Sequence, residues 1–235
     1  MVKYVPIQLI QHSLKENITK PLRLYIYLKN ESRNGMVKYT DIVSQKTLTY
    51  LAISKRTSYR HLAILIGLNW VNKDIHGNLF LRSWKRLEIT TGLRFTSKVE
   101  FHQNYIIKDA FLGYFMGAVI SYQCKLKKHI EWKERKKGGS LPILDLQYPI
   151  SISYLSNLLK IPASTVQSYK ILAIENGFVI RIKKNERVKI INKNLNIREL
   201  RKNWAENSFP IYHKGSLIIV HPDNFKPCLR FKRYR

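Results

Sequence analysis

Displaced by 108 residues, the sequence partly repeats itself, and a chain built from two copies of one unit has few folds open to it. At that offset Leu51, Ile53, Thr57, Ile66 and Val71 fall on Leu159, Ile161, Thr165, Ile174 and Val179. Asn69-Trp70-Val71 falls on Gly177-Phe178-Val179. Helices commonly end in a left-handed residue, which Gly adopts freely and Asn tolerates, and an apolar residue then returns the chain to the core. Both copies are therefore read as a helix that stops at Asn69 or Gly177 and leads into a strand.

In the first copy, Lys20 to Lys29 is expected to open the unit as a helix, although its alternating apolar residues also suit a strand. Asn34-Gly35 marks a turn. A short helix is predicted over Ser44 to Leu51, then a tight turn at Ala52-Ile53-Ser54, with Ser54 placed to cap a helix over Lys55 to Ile66. Helical spacing puts Ser58, Leu62 and Leu65 inward and Lys55, Arg56, Tyr59 and Arg60 outward. The run DIHGN, Asp74 to Asn78, signals a hairpin flanked by a strand at Leu79 to Leu81.

The second copy opens with a long helix over about Ile106 to Arg135, carrying an apolar stripe of Phe111, Phe115, Val119, Tyr122 and Ile130. Ser153 to Leu159 reads as the short helix, Lys160-Ile161-Pro162 as the turn, and Ala163 to Glu175 as the next helix, with Pro162 at its start. Phe178 to Ile182 and Val188 to Ile191 are expected to pair as a hairpin across the basic tip at 183–187. The resulting domains are residues 1–89, a connector at 90–105, a second domain at 106–193, and a basic C-terminal extension at 194–235. Within that extension Ile197 to Trp204 suits a helix and Ser216 to Val220 a strand. The terminal LRFKRYR suits either a backbone-following arm or a disordered end.

Helix, tight turn, helix and basic hairpin, in that order, resemble the winged helix-turn-helix family over residues 18–83 and 106–193. The resemblance rests on ISKRTSYRHLAIL with NWV in the first copy. In the second it rests on IPASTVQSYKILAIENGFV with RIKKNERVKI. It implies a mainly α fold with small β-hairpins, an α+β chain of two winged-helix domains. The first copy departs from the family pattern at Ser58, where an aliphatic residue such as Val166 is usual. That departure implies looser packing of its second helix or a shifted register. The tandem arrangement also resembles replication initiators of plasmids and phages. A transcription regulator and a winged-helix protein-interaction module are the alternatives.

Charge supports a polyanionic partner. Forty-two Lys and Arg stand against fifteen Asp and Glu, a formal net charge of +27. Nucleic acid is the usual partner of such a chain, because each neutralised phosphate releases condensed counterions. The expected partner is double-stranded DNA, with replication or transcription proteins as further candidates and oligomeric state left open. A major groove ~12 Å wide admits one α-helix, whose N-terminal residues meet base edges. Arg56 and Arg60, one turn apart, suit guanine, Thr57 and Tyr59 suit phosphate or a thymine methyl, and Lys55 is a further expected DNA contact. In the second copy Gln167 suits adenine, with Ser164, Thr165 and Ser168 as smaller polar contacts. Lys73 in the first hairpin and Lys183, Lys184, Arg187 and Lys189 in the second are expected on phosphates or reaching into a minor groove.

Several classes are read as excluded. Asp109 with Glu131-Trp132-Lys133 has the spacing of a nuclease acid and ExK motif, but all fall in one expected helix, the wrong geometry for convergence. The seven histidines form no HxH or HExxH, and there is no glycine-rich nucleotide loop, so neither an enzyme nor a cofactor or metal is expected. Cys124 and Cys228 form no CxxC pair. The apolar run Ala110 to Cys124 is shorter than the ~20 residues a membrane helix needs. Its Gly113 and Gly117 are expected to admit a neighbouring helix instead. No secretory signal is read at the N-terminus, and the expected setting is the cytoplasm of a bacterium or phage-infected cell.

Overall fold

A computed structural model describes residues 2–32, 34–137, 148–182, 185–188, 209–213, 216–220 and 223–234. The chain is α+β. In order it forms β1 (Tyr4–Pro6), α1 (Ile7–Lys15), α2 (Thr19–Glu31), β2 (Met36–Lys38), a 3-10 turn (Tyr39–Val43), α3 (Gln45–Leu51) and α4 (Lys55–Gly67). Next come β3 (Val71–Lys73), β4 (Asn78–Leu81), α5 (Trp84–Thr91), β5 (Ser97–Glu100) and a 3-10 turn (Gln103–Ile106). The second half holds α6 (Lys108–Lys137), β6 (Tyr148–Pro149), α7 (Ile152–Leu159), α8 (Ala163–Glu175) and β7 (Val179–Ile182). The remaining strands are β8 (Asn185–Val188), β9 (Phe209–His213), β10 (Ser216–Val220), β11 (Asn224–Pro227) and β12 (Phe231–Arg233).

The repeat seen in the sequence is a repeat of geometry. Lys55 and Gly67 bound α4, and the residues 108 further on, Ala163 and Glu175, bound α8. The tight turns match residue for residue. Ala52 is left-handed at φ 48°, and its counterpart Lys160 at φ 53°. Both second helices run into a left-handed residue, Asn69 at φ 58° and Gly177 at φ 71°. The buried positions coincide too: Leu51 and Leu159, Ser58 and Val166, Leu65 and Ala173, Trp70 and Phe178, Val71 and Val179. Sheet order also agrees, β2-β4-β3 in the first copy and β6-β11-β7 in the second.

Ser58 is where the sequence suggested loose packing or a slipped register, and it shows no slip. It is fully buried, and its hydroxyl donates to the Ile42 carbonyl at 2.9 Å. That bond offsets the cost of burying a polar group, so Ser takes a core position that Val fills in the other copy. The ambiguous opening segment is helix α2, not a strand. From Leu22 to Leu28 it is buried on every side, which erases the 3.6-residue periodicity of a half-exposed helix.

The second hairpin differs from the sequence expectation. Of the strand expected at 188–191, Val188 falls in β8 and 189–191 lie outside the described residues, while β7 pairs elsewhere. Its partner is β11, with Val179 opposite Pro227 and Ile182 opposite Asn224. β8 pairs instead with β10, in a separate sheet ordered β8-β10-β9. Strand pairing is set by packing between segments far apart in the chain, and local alternation cannot name the partner. The terminal LRFKRYR is partly strand: β12 pairs with β5, which pairs with β1. One sheet thus joins the start of the chain, the segment between the copies and the last strand. Ile197 to Trp204 lies outside the described residues.

Helix α6 is the spine. It is buried continuously from Gly113 to Ser121 and packs on α8, α1 and β11. Gly113 and Gly117 make the close approach possible. A Cβ at Gly113 would stand 2.7 Å from the Leu172 carbonyl oxygen of α8, and one at Gly117 would stand 2.5 Å from the Phe178 Cβ. Among the described residues no helix is long and apolar enough to cross a membrane.

Candidate nucleic-acid interface

The first turn of α4 is set by Ser54, whose Oγ accepts from the Thr57 amide at 3.2 Å. Five residues of this helix, Lys55, Arg56, Thr57, Tyr59 and Arg60, are the expected contacts. Lys55, Arg56 and Arg60 are exposed, and the two arginines lie one turn apart on the outer face. Thr57 is less free. Its hydroxyl sits 2.9 Å from Ser54 Oγ and belongs to the cap.

Tyr59 and Lys73 are brought together, although they come from different elements. The Tyr59 ring stacks on Tyr39 with centroids 5.5 Å apart, and Lys73 Nζ lies 4.2 Å from the Tyr39 ring centroid. The stack ties the second helix, the 3-10 turn and the β3–β4 hairpin into one rigid face. Tyr39 was not singled out in the sequence, and no local pattern marks it. The hairpin tip is itself braced: Asp74 Oδ1 accepts from the amides of His76 at 2.9 Å and Asn78 at 2.7 Å, and Gly77 takes φ 80°. Lys73 thus stands at the edge of a fixed tip.

The corresponding face of α8 is chemically different. Ser164 and Ser168 are exposed, and the Ser168 hydroxyl donates to the Ser164 carbonyl at 3.1 Å. Thr165 is half-buried, and Gln167 is half-buried with its Oε1 enclosed and unpartnered. Where α4 carries Lys55, Arg56 and Arg60, α8 carries Ala163, Ser164 and Ser168. Among the described residues, the first copy presents cations on this face of its helix and the second does not. Lys183, Lys184 and Lys189 lie outside the described residues, and Arg187 falls in β8 opposite Ile218.

Comparison with protein-family models, with curated proteins and with solved structures finds no match. Geometry alone therefore carries the functional reading. Asp109 and Glu131 both lie on α6, and at 1.5 Å rise per residue they are about 33 Å apart along its axis. Among the described residues no group of three His, Cys, Asp or Glu side chains is placed to hold a metal ion.

A basic and aromatic surface outside the expected contacts lies further along α6. A cleft of about 680 Å³ is lined by Lys125, Lys128, His129, Trp132 and Arg233, and the His129 and Trp132 rings stack with centroids 6.2 Å apart. The signal was present in the run KLKKHIEWKERKK, which combines cations with an aromatic at helical spacing.

Proposed function

We propose that this chain binds double-stranded DNA sequence-specifically through two winged-helix units, in the manner of a plasmid- or phage-type replication initiator. The observation that carries the reading is the repeated turn. Two helix–turn–helix–strand segments share their left-handed residues at Ala52 and Lys160 and at Asn69 and Gly177, in a chain of net charge +27. The exposed Lys55, Arg56 and Arg60 of α4, on a helix that Tyr59 ties through Tyr39 to Lys73, suit a major groove flanked by phosphates.

A second reading, a transcription regulator, uses the same contacts at a promoter. It is favoured by a cavity of about 410 Å³ lined by Ser54 and Thr57 at the start of α4. A protein-docking module would use the same faces without DNA.

The test is binding to short duplex fragments across a salt series, with random competitor present. Sequence-specific binding predicts retention of a subset of fragments and a log–log salt slope of about −4 or steeper, equivalent to roughly four or five neutralised phosphates. Weak, unselective and salt-insensitive binding would remove the DNA reading. Iterated sites in one intergenic region assign an initiator, and a single site overlapping a promoter assigns a regulator.

A further inference from the structure

Helix α2 carries Arg23 into the interior, 8% exposed, where its Nε donates to the Ile106 carbonyl just ahead of α6. Its Nη2 is buried and has no hydrogen-bond partner. A guanidinium N–H left unpaired in a low-dielectric site is costly, and a carboxylate is the group whose geometry it best matches. Among the described residues no carboxylate lies within ion-pair distance of it. Asp109, on the first turn of α6, is near enough to favour the charged guanidinium, while burial acts more strongly the other way.

Arg23 lines a cavity of about 410 Å³ between α2, the Ala52–Ser54 turn and the start of α6. The volume falls within the range of small-molecule sites. Lys20 and His61 also line it, and among the described residues no Asp or Glu does. The rest of the wall is largely apolar, formed by Leu24, Leu51, Ile53, Phe111 and Leu112. Burial and the cations Lys20, Arg60 and Arg23 hold the His61 pKa below its ordinary value, so at pH 7 its neutral ring is present to share a hydrogen bond.

We propose that this cavity binds a small organic carboxylate, its charge on Arg23 and its apolar body against Phe111 and the leucines. A carboxylate fits better than a phosphate. An apolar wall that carries one buried guanidinium, with Lys20 and His61 beside it, suits a monoanion with a hydrocarbon body, whereas a dianion would be desolvated against too few donors. Because Ala52, Ser54 and Thr57 form one side of the cavity, an occupant touches the turn that aims α4. The cavity itself stands independently of the DNA-binding reading.

The test is calorimetric titration of the full chain at constant ionic strength with benzoate, benzamide and inorganic phosphate as probes, without DNA. Benzoate is expected to saturate one site at millimolar concentration or below, with benzamide at least tenfold weaker and phosphate showing no saturation. R23Q should weaken benzoate at least tenfold. L112W, which fills the cavity from α6 and leaves Arg23 in place, should abolish binding, and it decides the matter alone if R23Q does not fold. Equal binding of benzoate and benzamide, phosphate binding without benzoate, no binding at all, or wild-type binding by L112W would each overturn the proposal.

Discussion

Lys170 Nζ on α8 stands 3.0 Å from Asp223 Oδ2, at the entry to β11, with the two side chains 5% and 22% exposed. Arg181 Nη1 lies 3.9 Å from the same oxygen. The residue 108 positions earlier is Leu62, an ordinary core leucine. The second copy thus replaces a leucine with a buried ion pair where its central strand arrives from a distant part of the chain. Removing one partner of a buried pair leaves a charge uncompensated, at a typical cost of ~3–5 kcal/mol. D223N is expected to cost about 3 kcal/mol, the low end, because Asp223 is partly exposed. K170L with D223N should cost clearly less than the sum of the two single changes. Denaturant unfolding of all four proteins checks this, and additive losses would mean that the pair is not coupled.

G113A tests the closest approach in the core. The added methyl would meet the backbone of Leu172, which cannot rotate away as a side chain would. Overpacking of this kind costs ~1–3 kcal/mol, against a helix-propensity gain of up to ~1 kcal/mol for replacing Gly by Ala. A net loss of about 1–2 kcal/mol is expected, a Tm lower by roughly 2–8 °C for a chain of this size. A Tm equal to or above that of the parent protein would show that α6 and α8 do not pack as described.

How far the fold could be read from sequence depends on where each element's determinants lie. Helices α3, α4, α7 and α8 were legible because their stop and start residues are local: Ser44 and Ser54 as caps, Pro162 at a start, Asn69 and Gly177 as left-handed ends. α5 carried comparable signals, Ser83 as cap and Gly92 at φ 66°, yet only Leu87 is buried in it, so its apolar pattern is faint. α1 was missed although Ile7, Ile10 and Leu14 have helical spacing. The partner of β7 was not legible, because β11 is recruited through Phe225 and the Lys170–Asp223 pair rather than through a turn signal. At the candidate interface, exposure of Lys55, Arg56 and Arg60 followed from helix phase. The Tyr39–Tyr59–Lys73 stack joins three elements and left no mark in any one of them.

The two left-handed turn residues offer a paired stability test. Ala52 and Lys160 hold φ of 48° and 53°, a region that costs an L-residue roughly 1–2 kcal/mol and glycine nearly nothing. Glycine gives part of that back through the greater freedom of the unfolded chain. A52G and K160G are each expected to stabilise by about 0.5–1 kcal/mol. If thermal denaturation shows destabilisation at both sites, the shared turn geometry is wrong.

The cysteines should separate cleanly by reactivity. Cys124 is buried and Cys228 is exposed. Burial pushes the Cys124 thiol from its ordinary 9.0 up to about 12, with Lys127 opposing that shift. At pH 8 a thiol reagent should label the native chain once, at Cys228, and label twice after denaturation. The sign of the alkaline effect follows. The unfolded thiol ionises first, so the stability that Cys124 contributes is present below pH 9.0 and is lost as pH rises toward about 12. Rapid double labelling of the native protein would contradict its placement beside β11.

On the DNA-binding reading, the two copies should not contribute alike. Arg56, Thr57, Tyr59 and Arg60 fall on Ser164, Thr165, Gln167 and Ser168, so the cationic edge of the first copy has no counterpart in the second. Two half-sites read by these faces would differ in sequence, and footprints should cover a non-palindromic site with centres about 10 bp, or a multiple of it, apart. R56A and R60A should each cost roughly 1–3 kcal/mol on a selected fragment and much less on random DNA. S164A with S168A should leave the salt slope unchanged, because neither side chain can release a counterion. Loss of affinity for random DNA equal to that for the selected fragment would reassign both arginines to phosphate contacts. A perfectly palindromic footprint would mean that the second copy is not a reader within the same chain, and that two copies of the first face, from two chains, meet on the site.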